Sequence, residues 1–176
     1  KQQGFRVENF VYMNLPAMRF LGFEGEEYTD IGKRMEKMKV IDSLTDYKSG
    51  FDYDLFFMHF YGVGVDVGQW HGVFGRFMKA DCPVPEGFLS FDFVPNYTGK
   101  AGPPYISQFA YATFSGDSSA MHNNEGFDGD AMYDTTRNII LGQGGDIPYP
   151  EKYWTAEVFP EGCDQNSTGY LFSVKL

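Results

Sequence analysis

An α+β fold, ordered strand, helix, strands and then the same again, is the architecture this sequence predicts. Three observations predict it. Residues 26–44 and 128–145 carry apolar side chains at helical spacing. The runs around them are rich in aromatic residues and studded with glycine, the composition of strands with bends. Two pieces, "MRFLGFEG" (18–25) and "FAYATFSG" (109–116), both end in Phe-x-Gly, and each stands ahead of a helix. At 176 residues the chain makes one domain, divided into half-repeats of about 1–95 and 96–176.

The elements follow in order. "VENFVYMNL" and "MRFLGFEG" read as strands broken at Pro16, where a residue lacking a backbone N–H suits a break. The first helix is capped by Thr29 or Asp30. Ile31, Met35, Met38, Ile41 or Val40, and Leu44 form its inward stripe, and its charges face water. "FDYDLFFMHFYGVGV" and "WHGVFGRFMK" read as strands bent at their glycines, and "FLSFDFV" as a short strand in the long 82–104 connection. "PYISQFAYATFSG" precedes the second helix, which is capped by Asp128 or Asp130. That helix turns Met132, Thr136, Ile139 and Ile140 inward and stops at Gly142 to Gly145. "YWTAEVF" and "GYLFSVKL" close the chain. In the repeat each helix leads to a strand opening with Trp, at Trp70 and Trp154. A groove between the two halves is then a natural ligand site.

Composition narrows the function classes. Net charge is −10 and the sequence pI is near 4.6, so the domain repels nucleic-acid phosphates, and no Lys/Arg block offsets this. No apolar run approaches the roughly 20 residues that span a bilayer. Cys82 and Cys163 are far apart and form no CxxC, which suits two free thiols in a reducing, cytoplasmic setting. The sequons at Asn96 and Asn166 favour instead an exported protein with one disulfide. The chain starts at Lys1 rather than Met, as a processed piece would. "GVGVDVG" (62–68) lacks the helix a dinucleotide fingerprint needs, and "GDSSA" (116–120) is a near miss to a nucleophile elbow. His59, His71 and His122 lack metal-ligand spacing, and the acidic run Glu125, Asp128, Asp130, Asp134 is not a calcium loop. No cofactor, metal or catalytic constellation is expected.

"YWTAEVF" (153–159) poses the functional question, because one glutamate stands among aromatics. Side chains alternate along a strand, so Trp154, Ala156 and Val158 share an apolar face suited to packing on a helix. Tyr153, Thr155, Glu157 and Phe159 share the other, with the composition of a pocket wall. An exposed sheet face would carry the same pattern. A buried carboxylate needs a partner, and a cationic ligand would be one. Surrounding rings would add about 0.5–2 kcal/mol per favourable cation–π contact.

The opening "VENFVYMNLPAMRFLGFEG", the "FAYATFSG" strand, "AEVF" and the closing "YLFSVKL" together resemble the GyrI-like effector-binding domain. That domain also occurs as the C-terminal sensor of AraC-type and MerR-type bacterial transcription regulators. The resemblance covers nearly the whole chain and rests on the order of its pieces. It implies duplicated βαββ units whose antiparallel sheets surround a central ligand cleft, with one main helix per unit. It also implies binding of lipophilic, often cationic organic molecules, as in multidrug binding, and assigns the pocket glutamate to Glu157. Tyr153, Phe159, Tyr111, Trp70 and Tyr12 are the candidate rings around it, and His71 a candidate cleft residue. Any DNA contact would belong to a separate N-terminal domain. Some relatives hydrolyse reactive small molecules, which makes Glu157 a general acid or base in an alternative reading, with His59, His71 or a tyrosine as its polar partner. A partner-binding module with an aromatic groove is the third reading.

Overall fold

The computed structural model describes residues 4–24, 30–59, 71–95, 105–121, 131–147, 154–159 and 167–175. Among these residues nine strands form one sheet: β1 (Phe5–Asn14), β2 (Met18–Glu24), β3 (Asp54–His59), β4 (His71–Lys79), β5 (Leu89–Val94), β6 (Tyr105–Ile106), β7 (Gln108–Gly116), β8 (Trp154–Phe159) and β9 (Gly169–Ser173). Among the described residues three helices accompany them: α1 (Ile31–Ser43), the single turn α2 (Ser118–Met121) and α3 (Ala131–Gly142). A 3-10 turn at Thr45–Tyr47 follows α1. The strand order is β1-β7-β9-β8-β3-β4-β2-β5-β6, and every pairing is antiparallel except β5 with β6.

The expected plural sheets are a single one. β3 and β8 pair over six positions, from Asp54 opposite Phe159 to His59 opposite Trp154, and this ladder fuses the halves. The sheet also returns on itself. β6 pairs with β5, and one residue later the same segment becomes β7, which pairs with β9 and β1. Ser107 makes the corner. Its N–H donates to the Val94 carbonyl at 2.7 Å, and its carbonyl accepts from the Leu15 N–H. Its hydroxyl donates to the Leu15 carbonyl at 2.9 Å.

Closure of the ladder leaves one face enclosed by the sheet itself. Trp154, Ala156 and Val158 lie on that face, buried with Phe20, Phe57, Phe77, Phe93, Phe109 and Leu171. Trp154 has no exposed surface and donates its indole N–H to the Ile106 carbonyl at 3.3 Å. Phe77 and Phe93 meet edge-to-face at 5.1 Å, the arrangement aromatic quadrupoles favour. The apolar face of "WTAEVF" therefore packs on strands and not on a helix, because rings from neighbouring strands fill that side.

Both long helices sit on the opposite face. Asp30 caps α1 by accepting from the Lys33 N–H at 3.1 Å. The buried stripe of α1 is Arg34, Met38 and Ile41, while Ile31, Met35 and Val40 are exposed. Met38 and Ile41 are buried as expected and Leu44 packs beside them, but the first turn differs, with Ile31 and Met35 outward and the charged Arg34 facing the sheet. The long aliphatic stem of Arg34 fills space, and its guanidinium lies 5.1 Å from the centre of the Phe74 ring, a cation–π geometry. α1 packs on Leu21, Phe23, Phe74, Met78 and Phe159. α3 buries Met132, Thr136 and Ile140 as expected, with Ile139 half-buried, against Ala110, Ala112, Tyr170 and Phe172. It ends at Gly144 (φ +81°), whose left-handed backbone lets the Gly145 N–H reach back to the Ile140 carbonyl at 3.0 Å. The expected cap residues Asp128 and Asp130 lie outside the described residues.

The two helix-bearing stretches lay down their strands alike. In β2-α1-β3-β4 the first strand pairs with the last, and the last with the middle one; in β7-α3-β8-β9 the same holds. The strand following α1 is β3, so β8 corresponds in order to β3 and not to the strand after Trp70. Among the described residues no helix is long and apolar enough to cross a membrane.

Candidate functional site

Glu157 lies near the middle of β8, on the face that carries the helices. Across β3 it stands opposite Phe56, and across β9 opposite Tyr170. It is half-buried, whereas the other five residues of β8 are buried. Its Oε1 accepts a hydrogen bond from the Ser167 hydroxyl at 3.2 Å. Phe56 packs with the α1 cluster and Tyr170 with the α3 cluster, so the carboxylate sits where the two helix-covered regions meet.

The walls are aromatic on both sides. A Cβ built on Gly72 would come within 2.4 Å of the Phe56 ring, so the ring occupies the space that the glycine leaves open. Tyr170 is 2% exposed, and its hydroxyl lies 3.5 Å from the Thr155 hydroxyl. Tyr133 of α3 stacks obliquely on Phe172 at 4.8 Å and meets Tyr170 edge-on at 6.0 Å. Phe159, on the Glu157 face two residues along, is buried and 5.6 Å from Phe74. Glu157 is thus a half-buried carboxylate flanked in the ladder by two aromatic residues.

The remaining sequence-chosen residues are distributed differently. Tyr111 packs with the enclosed cluster, opposite Leu171 in the ladder, and its ring contacts Phe51 at 5.3 Å. It is therefore on the other face of the sheet from Glu157. Burial, and then the charge of Tyr53, pushes its phenol up to about 12. Tyr12 is on the helix face but on β1, three strands from β8, where it donates to Gln143 Oε1 at 2.6 Å. At about 4.8 Å per strand that is on the order of 14 Å from Glu157. Burial raises its phenol as well. His71 pairs through its backbone with His59, which pairs in turn with Trp154. Tyr153 and Trp70 lie outside the described residues. Of the chosen set, Glu157 and Phe159 come together on the helix face; Tyr12 shares that face three strands away, and Tyr111 lies on the other.

Phe56, Tyr170, Tyr133 and Ser167 were missed in the sequence. Phe56 and Tyr170 are neighbours of Glu157 only through ladder register, which a single strand pattern does not contain. An ion-pair cluster on the same face was also missed. Arg76 on β4 donates through Nε to Asp54 Oδ1 at 3.1 Å and through Nη1 to Asp42 on α1. Burial pulls the Arg76 guanidinium down, but the bonds and charges of Asp54 and then Asp42 outweigh it and hold it above its ordinary value.

A cavity of about 40 Å³ at the β1–β2 turn, lined by Leu15, Pro16, Ala17, Met18, Ser49 and Lys79, is of water size. None of the candidate residues lines it. Among the described residues no group of three or more His, Cys, Asp or Glu side chains could hold a metal ion. A scan of protein-family models finds no match to this chain, and a search of curated proteins finds none.

Proposed function

We propose that this chain is a small-molecule-binding domain of the GyrI-like kind, built from duplicated βαββ units, that takes a lipophilic cation at Glu157. The observation that carries this reading is the half-buried carboxylate held between Phe56 and Tyr170 at the junction of the two helix-covered regions. The cation would neutralise Glu157 while its apolar parts lie on the rings. The duplication draws support from the identical strand order of the two helix-bearing stretches. The acidic net charge of −10 suits attraction of cations and leaves any DNA contact to another domain. Used as a cytoplasmic sensor, the domain would bind its ligand more tightly in one of two states of a regulator; used alone, it would sequester the ligand.

One observation favours the hydrolytic alternative. General acid–base work by Glu157 needs a second polar group within hydrogen-bond reach, and the Ser167 hydroxyl is at 3.2 Å. Calorimetric titration with tetraphenylphosphonium, paired with a turnover assay on reactive epoxides and esters, separates the two. Saturable cation binding that Glu157→Gln abolishes, without turnover, supports the binder. Turnover lost in both Glu157→Gln and Ser167→Ala supports the hydrolase.

A further inference from the structure

The two long helices leave the middle of the sheet between them. α1 packs over β2 and β4, and α3 over β7 and β9, so β3 and β8 lie between the two. On the helix side of those strands Asp54, Thr155 and Phe159 are buried, while Phe56, Met58 and Glu157 are half-buried. Phe56 packs with the α1 cluster and Met58 with the α3 cluster. These three side chains are the floor of a trough. Tyr133, half-buried on α3 against the β9 rings, stands on one side of it.

The contacts of α1 show which of its flanks borders the trough. Asp42 accepts from Arg76, whose Nε donates to Asp54 on β3, so the Asp42 flank is the one beside β3. Lys37 reaches the other way, donating to the Gly87 carbonyl at 3.2 Å and lying over the Phe88 ring ahead of β5. Seven residues make about two turns of helix, which puts Met35 on the Asp42 flank, with Ile31 about one turn before it. Met35 and Ile31 are the most exposed large apolar side chains among the described residues, at 51% and 48%. Val40 is exposed as well, but it lies about 140° round the helix from Met35 and points away from the trough.

We infer that Met35, with Ile31 beside it, is the α1 wall of this trough and contacts the apolar body of a ring-bearing organic ligand. The lining selects that class. Phe56 and Tyr133 offer rings, and Met35 and Met58 offer thioethers, which pack favourably against aromatic rings. An unbranched Met side chain adjusts to the outline of its neighbour, so Met35 sets which ring bodies the trough accepts. The inference rests on the reading that a lipophilic ligand lies at Glu157, and it adds the residue that touches the apolar part of that ligand.

The test is calorimetric titration of tetraphenylphosphonium into the wild type, Met35→Ala, Val40→Ala and Glu157→Gln. Met35 and Val40 are exposed and Ala suits a helix interior, so both alanine variants keep the fold. The expected result is a loss of roughly three- to tenfold in Met35→Ala, with Val40→Ala within about twofold of the wild type. In the wild type labelled with carbon-13 at its methionine methyls, the Met35 signal should also move as ligand is added. The signal of Met18, buried on the enclosed face, should stay. Wild-type affinity in Met35→Ala, equal losses in the two alanine variants, or a Met35 signal that does not move overturns the inference. If Glu157→Gln still loses binding in those cases, the cation site stands without this wall. No binding by the wild type overturns both.

Discussion

Glu157 and Phe56 face each other across the β3–β8 ladder, so the half-buried carboxylate and the ring belong to different halves of the chain. That pairing makes the ring a neighbour of the carboxylate without any proximity in sequence. Phe56→Ala should weaken binding of a lipophilic cation by the value of one cation–π contact, about 0.5–2 kcal/mol or roughly 2- to 30-fold. Titration calorimetry of the variant against the wild type measures it, and unchanged affinity would remove Phe56 from the site.

Gly72 supplies the space for that ring. Gly72→Ala should displace the Phe56 side chain, since the added methyl meets the ring at 2.4 Å. The ring can rotate, so ligand affinity should change more than stability does. Gly75→Ala is the opposite case, because its Cβ would stand 2.0 Å from the Leu21 carbonyl oxygen in the neighbouring strand. Backbone has to move there, and the β2–β4 ladder should open. Urea denaturation of both variants checks the contrast: a large loss for Gly75→Ala and a small one for Gly72→Ala.

Arg76 anchors α1 to the sheet through Asp42 and Asp54. Arg76→Met leaves the Asp54 carboxylate buried without its guanidinium, which costs about 3–5 kcal/mol. The double variant Asp54→Asn, Arg76→Met should recover much of that loss, since the buried charge goes with its partner. Equilibrium unfolding of the single and double variants provides the comparison, and additive losses would mean the pair is not coupled.

Tyr111 gives a pH dependence of known sign. Its folded-state phenol stands at about 12, above the ordinary 10.0, with burial and then Tyr53 as the causes. A raised value means stability fully present below about pH 10 and lost as pH rises through about 12. Ultraviolet titration of the folded protein should show a late phenol that Tyr111→Phe removes. That variant should also lose less stability than the wild type over the same interval.

The strands were largely legible in the sequence, because alternation and glycine spacing are local. β2, β5 and β8 fall where "MRFLGFEG", "FLSFDFV" and "WTAEVF" place them. The role of each face was not legible. Alternation divides Trp154 from Glu157 but cannot say which side the sheet encloses, since closure depends on the corner at Ser107. In α1 the later part of the inward stripe, Met38, Ile41 and Leu44, was legible, and its first turns were missed for a different reason. Apolar spacing selects Ile31 and Met35, yet Arg34 with its long stem takes the inward position over Phe74. At the site, Glu157 was visible as a carboxylate in an apolar strand, while Phe56 and Tyr170 became its neighbours only through register between distant strands.

The most direct test of the central claim compares thermal shifts of the wild type and Glu157→Gln. The ligands are tetraphenylphosphonium and triphenylphosphine oxide, which is neutral and of similar bulk. Stabilisation of the wild type by the cation alone, absent in Glu157→Gln, is the predicted result. Equal responses of the two proteins, or none to the cation, would contradict the assignment of Glu157 as its counter-charge.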